Sequence, residues 1–161
     1  MIQKLLYAIL LTLMPVTELR AGLPLAVSYA LENNIPVFLI FILILALNIL
    51  LIFFVFYFLD EIHLHLMKLK YYKNVFNRFL KRFQKKADKF EEKHEKTWFW
   101  ALVFFVGFPF PGTGAWSGCL LSWIIGLDRK KSILAISMGV AIAGIVILAG
   151  SLGFAKLFNI F

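Results

Sequence analysis

Two uninterrupted apolar stretches, Ile35 to Leu59 and Ser132 to Ala155, run for 25 and 24 residues. The hydrocarbon core of a bilayer takes about 20 apolar residues as an α-helix, so either stretch is long enough to cross one. Nothing else limits the fold as strongly, because a helix that is apolar on every face has no place on the surface of a water-soluble domain. Composition agrees. Of the 161 residues 61% are hydrophobic and 17% aromatic, with a mean hydropathy of +0.85, against an apolar share of about 45–50% in soluble domains. The expectation is an all-α, multi-pass integral protein of the cell (plasma) membrane.

A shorter, broken segment precedes each stretch. Gln3 to Met14 is 12 residues, about 18 Å as a helix. It ends at "PVTELRAGLP", Pro15 to Pro24, before a second short piece, Leu23 to Glu32. Likewise Trp98 to Phe108 ends at "PFPGTG", Pro109 to Gly114, before Ala115 to Leu127. Half-length helices interrupted at Pro and Gly read as re-entrant hairpins, with Pro15, Pro24, Pro109 and Pro111 as the breaks. Sliding the sequence by 94 residues sets Pro15 on Pro109, Ala21 on Ala115 and the start of one span on the start of the other. The expected organisation is repeat one over 1–60 (hairpin 3–32, transmembrane helix 35–59), a connector over 61–96, and repeat two over 97–161 (hairpin 98–127, transmembrane helix 132–155). A hairpin returns to its own face whereas a span crosses, so the second unit starts on the opposite face: an inverted-topology repeat. The plainer alternative is four ordinary spans with Pro kinks, which scatters the basic loops over both faces.

The net charge of +8 is unevenly placed. Of 17 Lys and Arg, 11 fall between Lys68 and Lys96 and three more are Arg129, Lys130 and Lys131. In the inverted repeat these 14 share one face, which the positive-inside bias makes cytoplasmic, leaving both termini and the "ENNIP" loop, Glu32 to Pro36, outside. The same clustering accounts for the basic charge without nucleic acid. Ile62, Leu66, Leu69, Tyr72, Phe76, Phe79, Phe83, Ala87 and Phe90 recur every three or four residues among the basic ones, the pattern of an amphipathic helix lying on anionic lipid headgroups. His63 and His65 in this segment point to different faces of a helix and make no metal pair. Lys4 followed by "LLYAILLTLM" resembles a signal peptide, but cleavage after Ala21 would put Leu19 where a small residue is wanted.

The spans differ. The first lacks Gly and carries Asn48, expected to hydrogen-bond inward; the second carries Ala135, Gly139 and Ala143 at i, i+4 spacing, a groove for close approach of the hairpins or of a second subunit in a homodimer. The single cysteine, Cys119, excludes an internal disulfide and reads as a small buried apolar residue.

Where a half-helix begins at mid-membrane, its unpaired N–H groups and positive dipole end make an anion site. In "PGTGAW", Gly112 and Gly114 allow close approach to the backbone and Thr113 adds a hydroxyl. Arg20 can fork onto a phosphate or carboxylate, and Glu18 in a cavity is a candidate proton or cation carrier. The alternative for Glu18 and Arg20 is a buried ion pair that locks the hairpin. No nucleophile with a base and no metal cluster emerges, so neither an enzyme nor a cofactor is expected.

"PVTELRAGLPLA", Pro15 to Ala26, with "FPFPGTGAWSG", Phe108 to Gly118, resembles the prokaryotic small multi-drug export protein family over essentially the whole chain, and more distantly the DedA and VTT membrane proteins. That resemblance implies paired re-entrant hairpins with an acidic residue, here Glu18, and a basic one, here Arg20, in lipid translocation or proton-coupled transport. Pro111, Gly112 and Gly114 match at the second break; no Arg appears in the second hairpin. The favoured expectation is a secondary transporter or flippase for an anionic or lipid-phosphate substrate, bound by Arg20, Gly112, Thr113 and Gly114 and coupled through Glu18. Its rivals are proton-coupled export of amphipathic cationic drugs and a membrane-organising role without transport.

Overall fold

The structure, a computed structural model, describes residues 2–15, 17–66, 68, 95–110 and 112–157. The amphipathic helix expected beyond Leu66 and the break at Pro111 lie outside the described residues. Six helices are described: α1 (Ile2–Leu13), α2 (Glu18–Glu32), α3 (Val37–Leu66), α4 (Glu95–Gly107), α5 (Ala115–Ile125) and α6 (Arg129–Leu157). Two are long and apolar enough to span a bilayer, over Val37–Glu61 and Arg129–Lys156. Displacing α1, α2 and the start of α3 by 94 residues gives 96–107, 112–126 and 131, within three residues of α4, α5 and the start of α6.

Two expectations need correction. The second helix begins at Glu18, not Leu23, so Pro24 is no break: it lies inside α2. Proline there has no N–H to give the Arg20 carbonyl, which opens the helix ladder without ending it. The helix of the first span continues past Leu59 to Leu66, so the start of the expected connector is the end of α3.

α1 and α2 pack antiparallel. Ala8 and Thr12 sit on Gly22, where a Cβ would stand 1.9 Å from Thr12 Oγ1 and 2.7 Å from the Ala8 carbonyl oxygen. At the far end, Lys4 Nζ donates to Ser28 Oγ (3.0 Å) and to the Glu32 carboxylate. In the other half α4 lies on α6 through the small-residue groove: Ala135 is fully buried, and a Cβ on Gly139 would come within 2.7 Å of Val106. α3 and α6 run antiparallel, with Phe41 against Gly144 and Asp60 against Arg129. Ile2 and Leu157 are thereby at the same end as the α2–α3 turn.

Along α3 the buried residues Ile40, Phe41, Ile44, Asn48, Leu51, Ile52, Val55 and Phe56 form one stripe, while Phe38, Leu39, Ile42, Leu50, Phe53, Phe54 and Tyr57 are exposed. Apolar side chains on both the packed and the exposed face are what a hydrocarbon solvent calls for. Polar contacts gather at the two ends of this span. One is the Lys4–Ser28–Glu32 group; at the other, Asp60 accepts from Trp123 Nε1 (2.9 Å) and from Arg129 Nη2 (2.9 and 2.8 Å), with the guanidinium 4.5 Å from the Phe56 ring centre.

Candidate functional site at the junction of the helix breaks

The two breaks meet. α1 ends at Leu13, and the turn at Pro15 is tied back by Thr17, whose hydroxyl donates to the Leu11 carbonyl (2.6 Å) in place of capping α2. Glu18 then starts α2 with φ at 43°, the left-handed region that costs a residue with a Cβ roughly 1–2 kcal/mol. Such strain persists where the surroundings hold it. Here they do: the backbone N–H of Ala115 donates to Glu18 Oε2 (3.0 Å) and that of Trp116 to Oε1 (3.1 Å). Both donors are orphan N–H groups of the first turn of α5.

Gly114 explains this arrangement. It is the N-cap of α5 and has no side chain with which to cap it. Ser117 Oγ accepts from the Gly114 N–H (2.8 Å), and Glu18 supplies the remaining capping from the other hairpin. A Cβ on Gly114 would lie 1.4 Å from Glu18 Oε2, so glycine leaves the space that the carboxylate fills. Gly112 serves differently. Its φ of 88° is left-handed, it is exposed, and a Cβ there would meet nothing within 4 Å; its left-handed backbone makes the turn.

Arg20 reaches across the same junction. Its Nη2 donates to the Thr113 carbonyl (2.7 Å) and Thr113 Oγ1 (2.8 Å), and that hydroxyl is also 2.7 Å from the Phe108 carbonyl and 2.9 Å from that of Phe110. Trp116 Nε1 donates to the Leu13 carbonyl at the end of α1 (3.2 Å). Pro15 and Pro109 both stand in the non-helical turns, as expected. Glu18 and Arg20 make no ion pair with each other; ion pairs elsewhere join Lys4 to Glu32 and Arg129 to Asp60. The anion-binding end of α5 is therefore occupied by the chain's own carboxylate.

The junction lies level with the middle of the two membrane-length helices. A small cavity there is lined by Glu18, Arg20, Asn48, Gly114, Val140 and Ile147 among others. Asn48 is near the middle of the Val37–Glu61 span, and Val140 to Ile147 straddle the middle of Arg129–Lys156. Asn48 points inward as expected, but its hydrogen bond is not made: neither amide atom meets a partner. Ile147 also lines a second, larger groove of about 700 Å³ with Leu11, Ala21, Pro24, Ser28 and Phe154. The sequence reading missed that Glu18 caps α5. The available signal was a helix start at Ala115 behind a glycine that cannot cap it.

Exposed apolar belts, two membrane-length helices and a polar junction buried between them point to a membrane protein with a polar site level with the middle of its long helices. The chain belongs to the family described as "putative small multi-drug export protein", whose model matches residues 18–146. No curated protein and no solved structure matches the chain.

Proposed function

We propose that the chain is a proton-coupled exporter of lipophilic cations, built on two re-entrant hairpins of inverted topology. The observation that carries this reading is the Glu18 carboxylate, buried at mid-depth on two backbone N–H groups of the other hairpin and one residue layer from an apolar groove of about 700 Å³. That volume is in the range of sites for drug-sized ligands. Ionised, Glu18 holds the two tips together through charge-assisted hydrogen bonds at a helix N-terminus. A proton removes its charge and loosens that junction; a cation entering the groove competes for the same charge. Alternate occupation of one carboxylate by proton and by cation is the exchange that coupled export requires. Arg20, anchored on Thr113, holds the tips together in either state.

The anionic or lipid-phosphate reading fares less well, because the donors it needs are engaged internally: the α5 N–H groups by Glu18 and Arg20 Nη2 by Thr113. The family's description as a multi-drug export protein also favours drug-sized organic substrates over a lipid phosphate. With the Arg129 to Lys131 end of α6 cytoplasmic by its charge, the exit face is the one that carries Ile2, the α2–α3 turn and Leu157.

The test is transport of a fluorescent lipophilic cation in proteoliposomes under an imposed pH gradient, with a labelled lipid phosphate in a parallel arm. The parent should move the cation, and Glu18→Gln, monodisperse in detergent, should lose gradient-driven movement. Unchanged gradient dependence in Glu18→Gln, or movement of the lipid phosphate alone, overturns the reading.

A further inference from the structure

From Val37 to Phe56 every residue except Asn48 is apolar. Asn48 is fully buried, and neither its Nδ2 nor its Oδ1 meets a hydrogen-bond partner in the protein. A carboxamide in hydrocarbon-like surroundings is strongly disfavoured unless something pairs with it. It lines the same cavity as Glu18 and Arg20, the two titratable groups on that wall; the rest of the lining, from α2, α4, α5 and α6, is apolar. About 10 Å³ of this cavity is open to the centre of a water-sized sphere, enough for one water.

The hydrogen-bond inventory chooses among occupants of that size. Each Glu18 oxygen accepts one N–H and retains acceptor capacity, while Asn48 brings two N–H donors and one carbonyl. A small cation would meet the Arg20 guanidinium, and a small anion would meet the Glu18 carboxylate. Water is neutral and both donates and accepts, so it serves both groups. We propose that Asn48 and Glu18 hold one water between them at mid-depth, and that this water carries the proton to and from Glu18. In that step the water gives one of its protons to a Glu18 oxygen as it takes another from water on the groove side of Ile147, and so ends unchanged. The relay rests on the export reading; the water site rests on Asn48.

Infrared difference spectra of the full chain in nanodiscs, acid minus alkaline, read the site without transport. The parent should show an O–H stretching band that moves to lower wavenumber in water labelled with oxygen-18. The band should vanish in Glu18→Gln and in Asn48→Leu, and persist at a changed frequency in Asn48→Ser, whose hydroxyl still bonds water. Absence of an isotope-sensitive band in the parent, or its unmoved persistence in Asn48→Leu, overturns the water site. Asn48→Leu should also slow gradient-driven cation transport at least tenfold while cation binding stays within twofold; undiminished transport overturns the relay. If Asn48→Leu does not fold, the Asn48→Ser and Glu18→Gln spectra decide. Normal transport by Glu18→Gln with the band present in the parent would sink the export reading and leave the water site standing.

Discussion

A single methyl group on Gly114 should undo the junction. The Cβ of Gly114→Ala would stand 1.4 Å from Glu18 Oε2, 2.3 Å from Cδ and 2.6 Å from Oε1, so the carboxylate must leave the end of α5. The backbone itself does not resist, because Gly114 has φ −125° and ψ −159°, extended values that alanine adopts freely. What is lost is two hydrogen bonds to a charged group, at about 1.5–3 kcal/mol each. Reduced backbone freedom of the unfolded chain returns about 0.4–1 kcal/mol. The expected net destabilisation is therefore about 2–5 kcal/mol, measured by titrating the purified protein in mixed micelles with denaturing detergent. Glu18→Ala beside Gly114→Ala removes the clash, so the double variant should be no less stable than Glu18→Ala alone, a strong non-additivity. A loss under about 0.5 kcal/mol in Gly114→Ala, or additive effects in the pair, would refute the capping argument.

Other expectations follow from the packing and the charges. Gly22→Ala should destabilise the α1–α2 hairpin by about 1–3 kcal/mol through overpacking on Thr12 and Ala8, with partial rescue by Thr12→Ala in the same detergent titration. Asp60→Asn should change stability by no more than about 1 kcal/mol, since the Asp60–Arg129 pair is nearly half exposed and an amide still accepts from Trp123. The hydrogen bond from Lys4 holds the Glu32 carboxyl below its ordinary value; a lowered folded value means that this tie is in place above the ordinary value and is lost as pH falls through the lowered one. Spin labels at positions 2 and 33 in a Cys119→Ser background should accordingly separate only once the pH has fallen below the ordinary glutamate value, and Glu32→Gln should flatten that response. Finally, cysteines at positions 33 and 130 in the same background should be labelled from opposite faces of the membrane; labelling from one face alone would end the topology argued from charge.

Much of the architecture was legible because it depends on local chemistry. The lengths of the two spans, the turns at Pro15 and Pro109, and the groove of Ala135 and Gly139 are each written in adjacent residues. The start of α2 was not. Pro24 looks like a terminator, but a proline costs one ladder bond, and packing on α1 and α3 carries the helix through it. The site was half legible. Glu18, Arg20 and the Gly-rich turn stood out as residues out of place in lipid, and an anion site at the start of α5 follows from helix geometry alone. Which anion fills it does not, because a helix N-terminus accepts any carboxylate, and the one that arrives comes from 98 residues upstream. Asn48 likewise announced itself as the one polar residue of its stretch, while the unpartnered state of its amide depends on five helices meeting in space.

That separation has a consequence for how the chain is made. Glu18 is synthesised with the first hairpin, but Trp116 leaves the ribosome 98 residues later, about 5–20 s at ordinary rates of synthesis. During that interval no α5 exists to receive the carboxylate, and Glu18 lacks both of the N–H donors that hold it in the folded chain. The first hairpin is thus biosynthetically incomplete: the carboxylate that caps α5 is made well before the helix it caps, and it stays without those two donors until the second hairpin follows.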